Sequence, residues 1–531
     1  MTPVVRAEPV ETVQTAAAGE ALTVARNVST RILAIGADMA VGLLVLPFNV
    51  AHLGTSAYGL WMLTASITTY FSVLDLGYGG ALVKFVAQYR ARRDPRALNE
   101  ILSTTFHLFT GFGLIAYAVA IVVAVYLDRL FHLSPDQAHV GRIVFLIISL
   151  NVTAGMAFGV FGGVINGFQR YDLNSVVSIV TALITAAVNV IVLAAGYGLV
   201  ELVVATTAVR LAAYWVYRAN AYRVFPGLRI RPSLFRRARL RELTSFSVYM
   251  FVIDWARKLN YSVDAIVIAA FMNTSAVAVW SVGQRVVEAM LRLTIQLSDV
   301  LFPAVVDNDV LERRNRLQAI LLIGTRLSLA TVMPIAVAVV LLSSSLVEAW
   351  VGPSFSGSVA VMQLLSVTVV FRVGNATATT LLKGAGEHRL VAVTNILTGV
   401  VNLALSVALV KSMGLVGVAL GTLIPVCGAA LLVVFPAACR RVDLPVRRAV
   451  AIAVWPTAWP ALVMTAFVVA TRPLIGDSLL AVASEMLAAV AVYAVVFLLF
   501  AITTLERRLY LSKAYELVGT WRPVATVPEG A

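Results

Sequence analysis

The segment Thr55-Ser56-Ala57-Tyr58-Gly59-Leu60-Trp61 recurs as Thr274-Ser275-Ala276-Val277-Ala278-Val279-Trp280, 219 residues further along the chain. Two more pairs of short matches keep nearly the same offset, around Gly167 and Gly384 and around Gly198 and Gly414. Short matches arise by chance in apolar sequence, but three in register indicate an internal duplication. The fold is therefore built from two related halves.

The composition excludes a soluble globular protein. Of 531 residues, 60% are hydrophobic and 13% are charged, and the mean hydropathy is +0.90, whereas soluble chains carry roughly a quarter of their residues charged. Neither a phosphate-binding P-loop nor a dinucleotide-binding glycine motif is present, which excludes a nucleotide-driven pump of the usual kind. The two cysteines and five histidines lack metal-ligand spacing, so no metal site and no cofactor is predicted.

Hydropathy predicts an all-α polytopic membrane protein. A hydrocarbon layer about 30 Å thick requires roughly 20 apolar residues per helix, and fourteen runs satisfy this. Each half then has six helices, an even number, so the halves form a parallel repeat of two six-helix lobes with two further C-terminal helices. The predicted segments are a disordered N-terminal tail (1–29), an N-lobe (30–216), a basic inter-lobe loop (217–243), a C-lobe (244–440), helices thirteen and fourteen (441–503) and a C-terminal tail (504–531).

The net charge of +14 is distributed unevenly. Loops and tails on the side of the N terminus hold about 28 basic residues and the opposite loops about 4, which predicts that both termini are cytoplasmic. The densest basic run extends from Arg218 to Arg241. It is interpreted either as a topological signal or as a site that attracts anionic lipid head groups or a phosphorylated substrate. Nucleic acid is not a predicted partner, because no folded recognition module accompanies the run.

Several charged residues lie inside the predicted spans, where they usually face a polar interior. In span eight, basic and acidic residues recur at i, i+3 and i+7, which places them on one helical face. The residues predicted to line a cationic cavity for an anionic substrate are Arg257, Lys258, Arg285, Arg292, Arg210 and Arg372. The residues predicted to couple a proton or a sodium ion are Asp38, Glu288 and Asp75. The alternative interpretation is a set of mutually satisfied structural ion pairs.

The run from His52 to Trp61, the Leu74-Asp75-Leu76-Gly77 motif and the Gly167 to Asp172 loop resemble the polysaccharide flippases of the multidrug/oligosaccharidyl-lipid/polysaccharide exporter superfamily. The likeness covers about residues 30–440. It implies two six-helix lobes around a central cavity, with alternating access. It also implies transport of an undecaprenyl-diphosphate-linked oligosaccharide from the inner to the outer leaflet of a bacterial cytoplasmic membrane. Membrane lipids and other glycan-assembly proteins are the implied partners.

Three other classes remain open as alternatives. An ion-coupled multidrug exporter of the same superfamily would use Asp38 as a natural ion site, although an arginine-rich cavity should repel cationic drugs. A membrane glycan polymerase or ligase usually carries a large outer loop and paired carboxylates, which this sequence lacks. A non-transporting scaffold would have no need of charged residues within its spans. The sequence therefore favours a transporter over an enzyme.

Overall fold

The computed structural model describes residues 10–71, 77–131, 133–244, 247, 263–294 and 301–502, and within these ranges the chain is helical, without strands. The helices of the first half are α1 (Val10–Phe71), α2 (Tyr78–Ala91), α3 (Pro95–Val125), α4 (Leu127–Phe131), α5 (Pro135–Gly167), α6 (Tyr171–Ala194) and α7 (Leu199–Val224). Those that follow are α8 (Asp264–Phe271), α9 (Thr274–Thr294), α10 (Phe302–Val310), α11 (Arg314–Val351), α12 (Gly357–Gly374), α13 (Ala376–Gly384), α14 (His388–Gly428), α15 (Phe435–Arg441), α16 (Val446–Ala449), α17 (Trp455–Thr471) and α18 (Leu479–Val496).

Ten helical stretches in the described residues are long and apolar enough to cross a membrane. Two of them are divided by a glycine with positive φ: Gly54 (φ 74°) within α1 and Gly414 (φ 57°) within α14. Glycine adopts this conformation readily because it has no Cβ, so each of these stretches contains two helices joined by a sharp kink. The predicted all-α polytopic fold is confirmed. Helix α1 begins at Val10, inside the segment 1–29 for which the sequence predicted a disordered tail.

The duplicated motifs occupy equivalent positions. Thr55 follows the kink at Gly54, and Thr274 opens α9 after the break between α8 and α9. Gly198 precedes α7, and its counterpart Gly414 forms the kink of α14. In both halves, therefore, each motif marks the place where one helix ends and the next begins.

Contacts divide the chain into two compact units, Met1–Val286 with Asn395–Thr422 and Val287–Thr394 with Leu423–Ala531. The first unit has a core in which α2, α3, α5 and α7 meet around fully buried residues such as Leu102 and Val164. The first unit also contains a hydrogen bond that the Asn27 side chain of α1 donates to the Gln169 carbonyl, between α5 and α6 (2.9 Å).

In the second unit, α11 packs against α12, α17 and α18. The two C-terminal helices, α17 and α18, bury Met464 and Tyr493 against Ala338 and Leu342 of α11. Glu485 of α18 is fully buried and forms an ion pair with Arg472 (3.3 Å) at the end of α17. This buried pair fastens the hairpin of α17 and α18.

Candidate transport site

Arg285 of α9 lies against the first membrane helix. A Cβ built on Gly42 of α1 would come within 2.8 Å of the Cζ atom of Arg285, so the absence of a side chain at Gly42 makes room for the half-buried guanidinium. Asp38 lies one helical turn before Gly42 on the same face of α1, and its side chain is exposed. Arg285 therefore lies against α1 about one helical turn from Asp38. In the first unit, a predicted cationic residue and a predicted acidic residue are thus near each other.

The charged face predicted for span eight is present on α9. Arg285, Glu288 and Arg292 follow one another at helical spacing, with the first two half-buried and Arg292 exposed. The contact boundary falls after Val286, so Arg285 belongs to the first unit and the other two belong to the second. All three charges nevertheless lie on one continuous helix, α9.

The remaining predicted cations are placed separately. Arg210 is exposed on α7, although it shares a helical face with the buried residues Thr206 and Ala213. Arg372 is half-buried on α12 of the second unit. The predicted residues Arg257, Lys258 and Asp75 lie outside the described residues.

A buried polar cluster that the sequence did not predict as a site lies around Asp264, the first residue of α8. Thr422 Oγ1 donates a hydrogen bond to Asp264 Oδ2 (3.3 Å) and accepts one from Asn402 Nδ2 (2.9 Å). All three side chains are less than a tenth exposed. Charged and amide groups are rarely buried inside an apolar helix bundle without a function, so this cluster is a second candidate site.

The chemistry of the Asp264 cluster suits a small cation. Asn402 Oδ1 is buried and accepts no hydrogen bond from the described residues, and the Ser406 hydroxyl lies one turn further along α14. Gly421 permits close packing here, because a Cβ at this position would come within 2.7 Å of the Ser406 backbone nitrogen. Carboxylate, amide and hydroxyl oxygens are the ligands of hard cations. In the described residues no group of three or more His, Cys, Asp or Glu side chains forms a transition-metal site.

The sequence contained a weak signal for this cluster. Asn402 and Ser406 are four residues apart in an otherwise apolar span, so they share a helical face. Thr422 lies beyond the Gly414 kink, which folds the second part of α14 back against the first. The partners of Asp264 could be identified only once this fold was known.

The two copies of the duplicated motif contact each other. Thr55 Oγ1 donates to Ser275 Oγ (3.4 Å), joining residues 220 positions apart. A Cβ on Gly59 would come within 2.6 Å of the Thr274 carbonyl carbon, so the two helices touch backbone to backbone at this glycine. We call this set of interactions the motif contact.

Gln137, near the start of α5, adds a third element to the motif contact. Its Nε2 donates to Ser56 Oγ (2.7 Å) and lies 3.4 Å from Thr274 Oγ1. The polar side chains of both motif copies are thereby satisfied by each other and by one amide. The first part of α1 separates Asn27 from the motif contact, and α5 separates Gln137 from Gln169. Because each of these helices is long enough to cross the membrane once, the motif contact lies on the side opposite to Asn27 and Gln169.

Comparisons with known proteins agree with this architecture. The chain is 23% identical over 391 residues to the probable flippase AglR of Haloferax volcanii, covering 72% of this chain and 77% of AglR. Its structure is similar to that of the lipid II flippase MurJ in an inward closed conformation (TM-score 0.69, 15% identity, 94% of this chain and 99% of that one). It is also similar to an inward-facing multidrug resistance MATE family transporter of the MOP superfamily (TM-score 0.64, 14% identity, 77% and 94%).

The resemblance stated from the sequence is confirmed at the level of the superfamily. The shared fold and the relatives make the chain a multi-pass membrane transporter of the multidrug/oligosaccharidyl-lipid/polysaccharide exporter superfamily, and these relatives are flippases and transporters rather than enzymes. The family model described as polysaccharide biosynthesis protein matches residues 24–308, more than half of the sequence. The chain therefore belongs to the polysaccharide biosynthesis protein family.

Proposed function

We propose that the protein is a flippase that moves an undecaprenyl-diphosphate-linked oligosaccharide from the cytoplasmic to the outer leaflet of a bacterial inner membrane. The observation that carries this proposal is the half-buried guanidinium of Arg285 against Gly42 of the candidate membrane span Ser29–Phe71, in a chain of the polysaccharide biosynthesis protein family. Both termini are proposed to be cytoplasmic, in line with the excess of basic residues on that side.

An arginine suits this substrate for a chemical reason. The planar guanidinium binds phosphate oxygens through two parallel hydrogen bonds and stays charged within the membrane. A diphosphate that crosses the membrane loses its hydration, and a fixed cation along the path compensates part of that loss. Arg292 and Arg372, with Arg257 and Lys258, are proposed to extend the cationic path.

A multidrug exporter is the second candidate function. It is favoured by the similarity to the multidrug resistance transporter, since both chains share the fold. The proposed cationic path argues against it, because arginines along the path would repel the cationic compounds that such exporters often carry. The two functions therefore predict substrates of opposite sign.

The motif contact is proposed to close the outer side of the transport path. It joins the starts of equivalent helices from the two repeats, and neutral hydroxyl and amide hydrogen bonds of this kind contribute only about 1 kcal/mol each. Such a contact is strong enough to hold a closed state and weak enough to open during a transport cycle. Alternating access then consists of making and breaking the motif contact.

The energy source is proposed to be a coupled cation. Asp264 with Asn402 and Thr422 supplies the oxygen ligands for sodium, and the same carboxylate is able to carry a proton instead. The residues predicted from the sequence for this role, Asp38, Glu288 and Asp75, remain alternatives.

The flippase proposal is tested with purified protein in liposomes. A fluorescent undecaprenyl-diphosphate oligosaccharide is incorporated, and its arrival in the opposite leaflet is followed by quenching with membrane-impermeant dithionite. Arg285→Gln should slow the initial rate about 10- to 100-fold, because one charge-assisted hydrogen bond is worth about 1.5–3 kcal/mol. The matched control is Arg389→Gln, which removes an exposed arginine at the start of α14.

Two results would contradict the proposal. Full transport by Arg285→Gln at normal expression would remove Arg285 from the transport path. Export of a cationic dye, with no movement of the lipid-linked sugar, would establish the drug exporter instead. For the coupling ion, Asp264→Asn should abolish the dependence of transport on sodium or pH, and a fully retained dependence would exclude Asp264.

A further inference from the structure

The basic segment that joins the two repeats is fastened to helix α3. Asn99 Nδ2 donates to the Gly227 carbonyl (2.9 Å), and Asn99 Oδ1 accepts from the backbone nitrogen of Arg229 (2.7 Å). One turn further along α3, Ser103 Oγ donates to the Arg229 carbonyl (3.0 Å) and accepts from the backbone nitrogen of Arg231 (3.2 Å). These side chains supply the bonds that a neighbouring strand would give to an extended chain. We call residues 225–241 the strap.

Side chains of the strap alternate between the core and the surface. Leu228 is 4% exposed, and Ile230 packs against the same core of the first unit. The intervening Arg229 and the following Arg231 are exposed. In an extended segment successive side chains point to opposite sides, so the backbone bonds to α3 fix the direction in which these arginines point.

An ion-pair network fastens the other end of the strap. Arg239 pairs with Glu100 of α3 (3.3 Å) and with Glu242 (3.1 Å). Tyr89 of α2 donates to Glu242 (2.7 Å), and burial, together with this hydrogen bond, raises the pKa of Tyr89 to about 12, so the phenol remains a donor. Both carboxylates are thus occupied by Arg239 and its neighbours.

Other arginines of this region stay available to solvent. Arg236 is exposed and pairs with Glu100 (3.8 Å). In the part of the chain that the structure describes, none of the other exposed arginines from Arg223 to Arg241 forms an ion pair with a carboxylate; they are Arg223, Arg229, Arg231, Arg237 and Arg241. Four of these arginines lie on the strap itself, and the backbone at two of them, Arg229 and Arg231, is held in place by α3.

The strap lies at the level of lipid head groups. Helix α3 has 31 residues, about 46 Å at 1.5 Å per residue, whereas the hydrocarbon layer is about 30 Å thick. The apolar part of α3 starts near Phe106, so the turns that carry Asn99 and Ser103 project beyond the hydrocarbon. Close by in the chain, Trp215 is 58% exposed and lies 5.1 Å from the Arg218 guanidinium, a pairing typical of the membrane interface.

We propose that the strap is a docking site for the anionic head groups of phospholipids, such as phosphatidylglycerol, in the leaflet that it contacts. A topological signal needs only the number of charges, whereas this segment also has a fixed backbone and a fixed outward direction for its arginines. The complementary charge at this depth is the phosphate of an anionic lipid, to which each arginine near the surface contributes favourably. The proposal is independent of which substrate the protein transports.

The test compares lipid binding by matched variants of the full-length protein. Delipidated protein in detergent is titrated with dioleoyl phosphatidylglycerol, dioleoyl phosphatidylcholine and undecaprenyl diphosphate, and the bound ligands are counted by native mass spectrometry. The strap variant changes Arg229, Arg231 and Arg237 to Gln. The control variant makes the same charge change at three exposed arginines elsewhere, Arg313, Arg447 and Arg448.

The strap variant should bind phosphatidylglycerol about 10- to 100-fold more weakly than the wild type, while its weak binding of phosphatidylcholine is unchanged. The control variant should stay within about threefold of the wild type. Equal losses in both variants would reduce the effect to net charge and overturn the proposal. Loss of undecaprenyl diphosphate binding with phosphatidylglycerol binding intact would also overturn it, because the strap would then be a substrate-loading site. Size-exclusion profiles check that each variant is folded.

Discussion

Replacing Gly59 by alanine tests whether the motif contact is a closed gate. The added Cβ would lie within 2.6 Å of the Thr274 carbonyl carbon, a distance that real Cβ atoms do not show. The obstacle is backbone rather than a flexible side chain, so the two helices must move apart. In Gly59→Ala we therefore expect the motif contact to open more often.

The size of the effect follows from packing. Inserting a methyl group into a well-packed contact costs about 1–3 kcal/mol, which is a factor of roughly 5 to 150 in the population of the open state. Gly36→Ala is the matched control. It lies in the same helix α1 and gains the same helix propensity, but a Cβ there meets no atom within 4 Å.

Cysteine labelling measures the opening. Cys427 and Cys439 are first changed to Ala, and Ser275→Cys then provides a reporter inside the motif contact. A membrane-impermeant maleimide is added from the side opposite to the N terminus. Gly59→Ala should be labelled about 5 to 150 times faster than the parent, and Gly36→Ala at the parental rate.

Equal labelling rates in Gly59→Ala and the parent, at normal yield of folded protein, would refute this reasoning. They would mean either that the contact yields locally at no cost or that it does not open during the cycle. A second variant separates these outcomes: Thr55→Cys with Ser275→Cys should form a disulfide that stops transport and is reversed by reductant. Continued transport by the cross-linked protein would show that the contact is not a gate.

Three further predictions concern other parts of the chain. Gly42→Ala should displace the Arg285 guanidinium without removing its charge and slow transport about 3- to 10-fold at unchanged expression; a normal initial rate would show that the position of the guanidinium is unimportant. Glu485→Gln should lower the free energy of unfolding, measured by chemical denaturation, by about 3 kcal/mol, because a buried ion pair loses one partner. The control Glu387→Gln, at an exposed position, should have no effect. The pKa of Tyr89 is raised above its value in the unfolded chain, near 10. The contribution of Tyr89 to stability is therefore present below pH 10 and lost as the pH rises through about 12. Tyr89→Phe should flatten the pH dependence of the free energy of unfolding in that window.

The sequence predicted the features that repeat regularly. Helical spans follow from runs of about 20 apolar residues, and the face that carries Arg285, Glu288 and Arg292 follows from the helical period. Both are properties of a single helix. The glycines at Gly54 and Gly414 belong to this group too, since each falls at a boundary that hydropathy already marked.

Contacts between distant segments were not predictable in the same way. The Asp264 cluster needs Asn402 and Thr422 to meet, and they meet because α14 folds back at Gly414. The fastening of the strap depends on Asn99 and Ser103, whose hydroxyl and amide groups look like ordinary solvent-facing residues at a helix start. In both cases the residues were visible in the sequence, but their partners were not.

The motif contact is an intermediate case, because the duplication itself constrains it. Residues at equivalent positions of two repeats related by a twofold axis contact each other only close to that axis. Thr55 contacts Ser275, which is the neighbour of Thr274, the counterpart of Thr55. An axis that relates the two copies would therefore pass beside the start of both motifs. A relative rotation of the repeats about a perpendicular line that lies away from this contact separates the two copies when the rotation has the sense that opens this side. If the motif contact is the gate that we propose, the reporter at Ser275 measures the opening of the path without knowledge of the substrate.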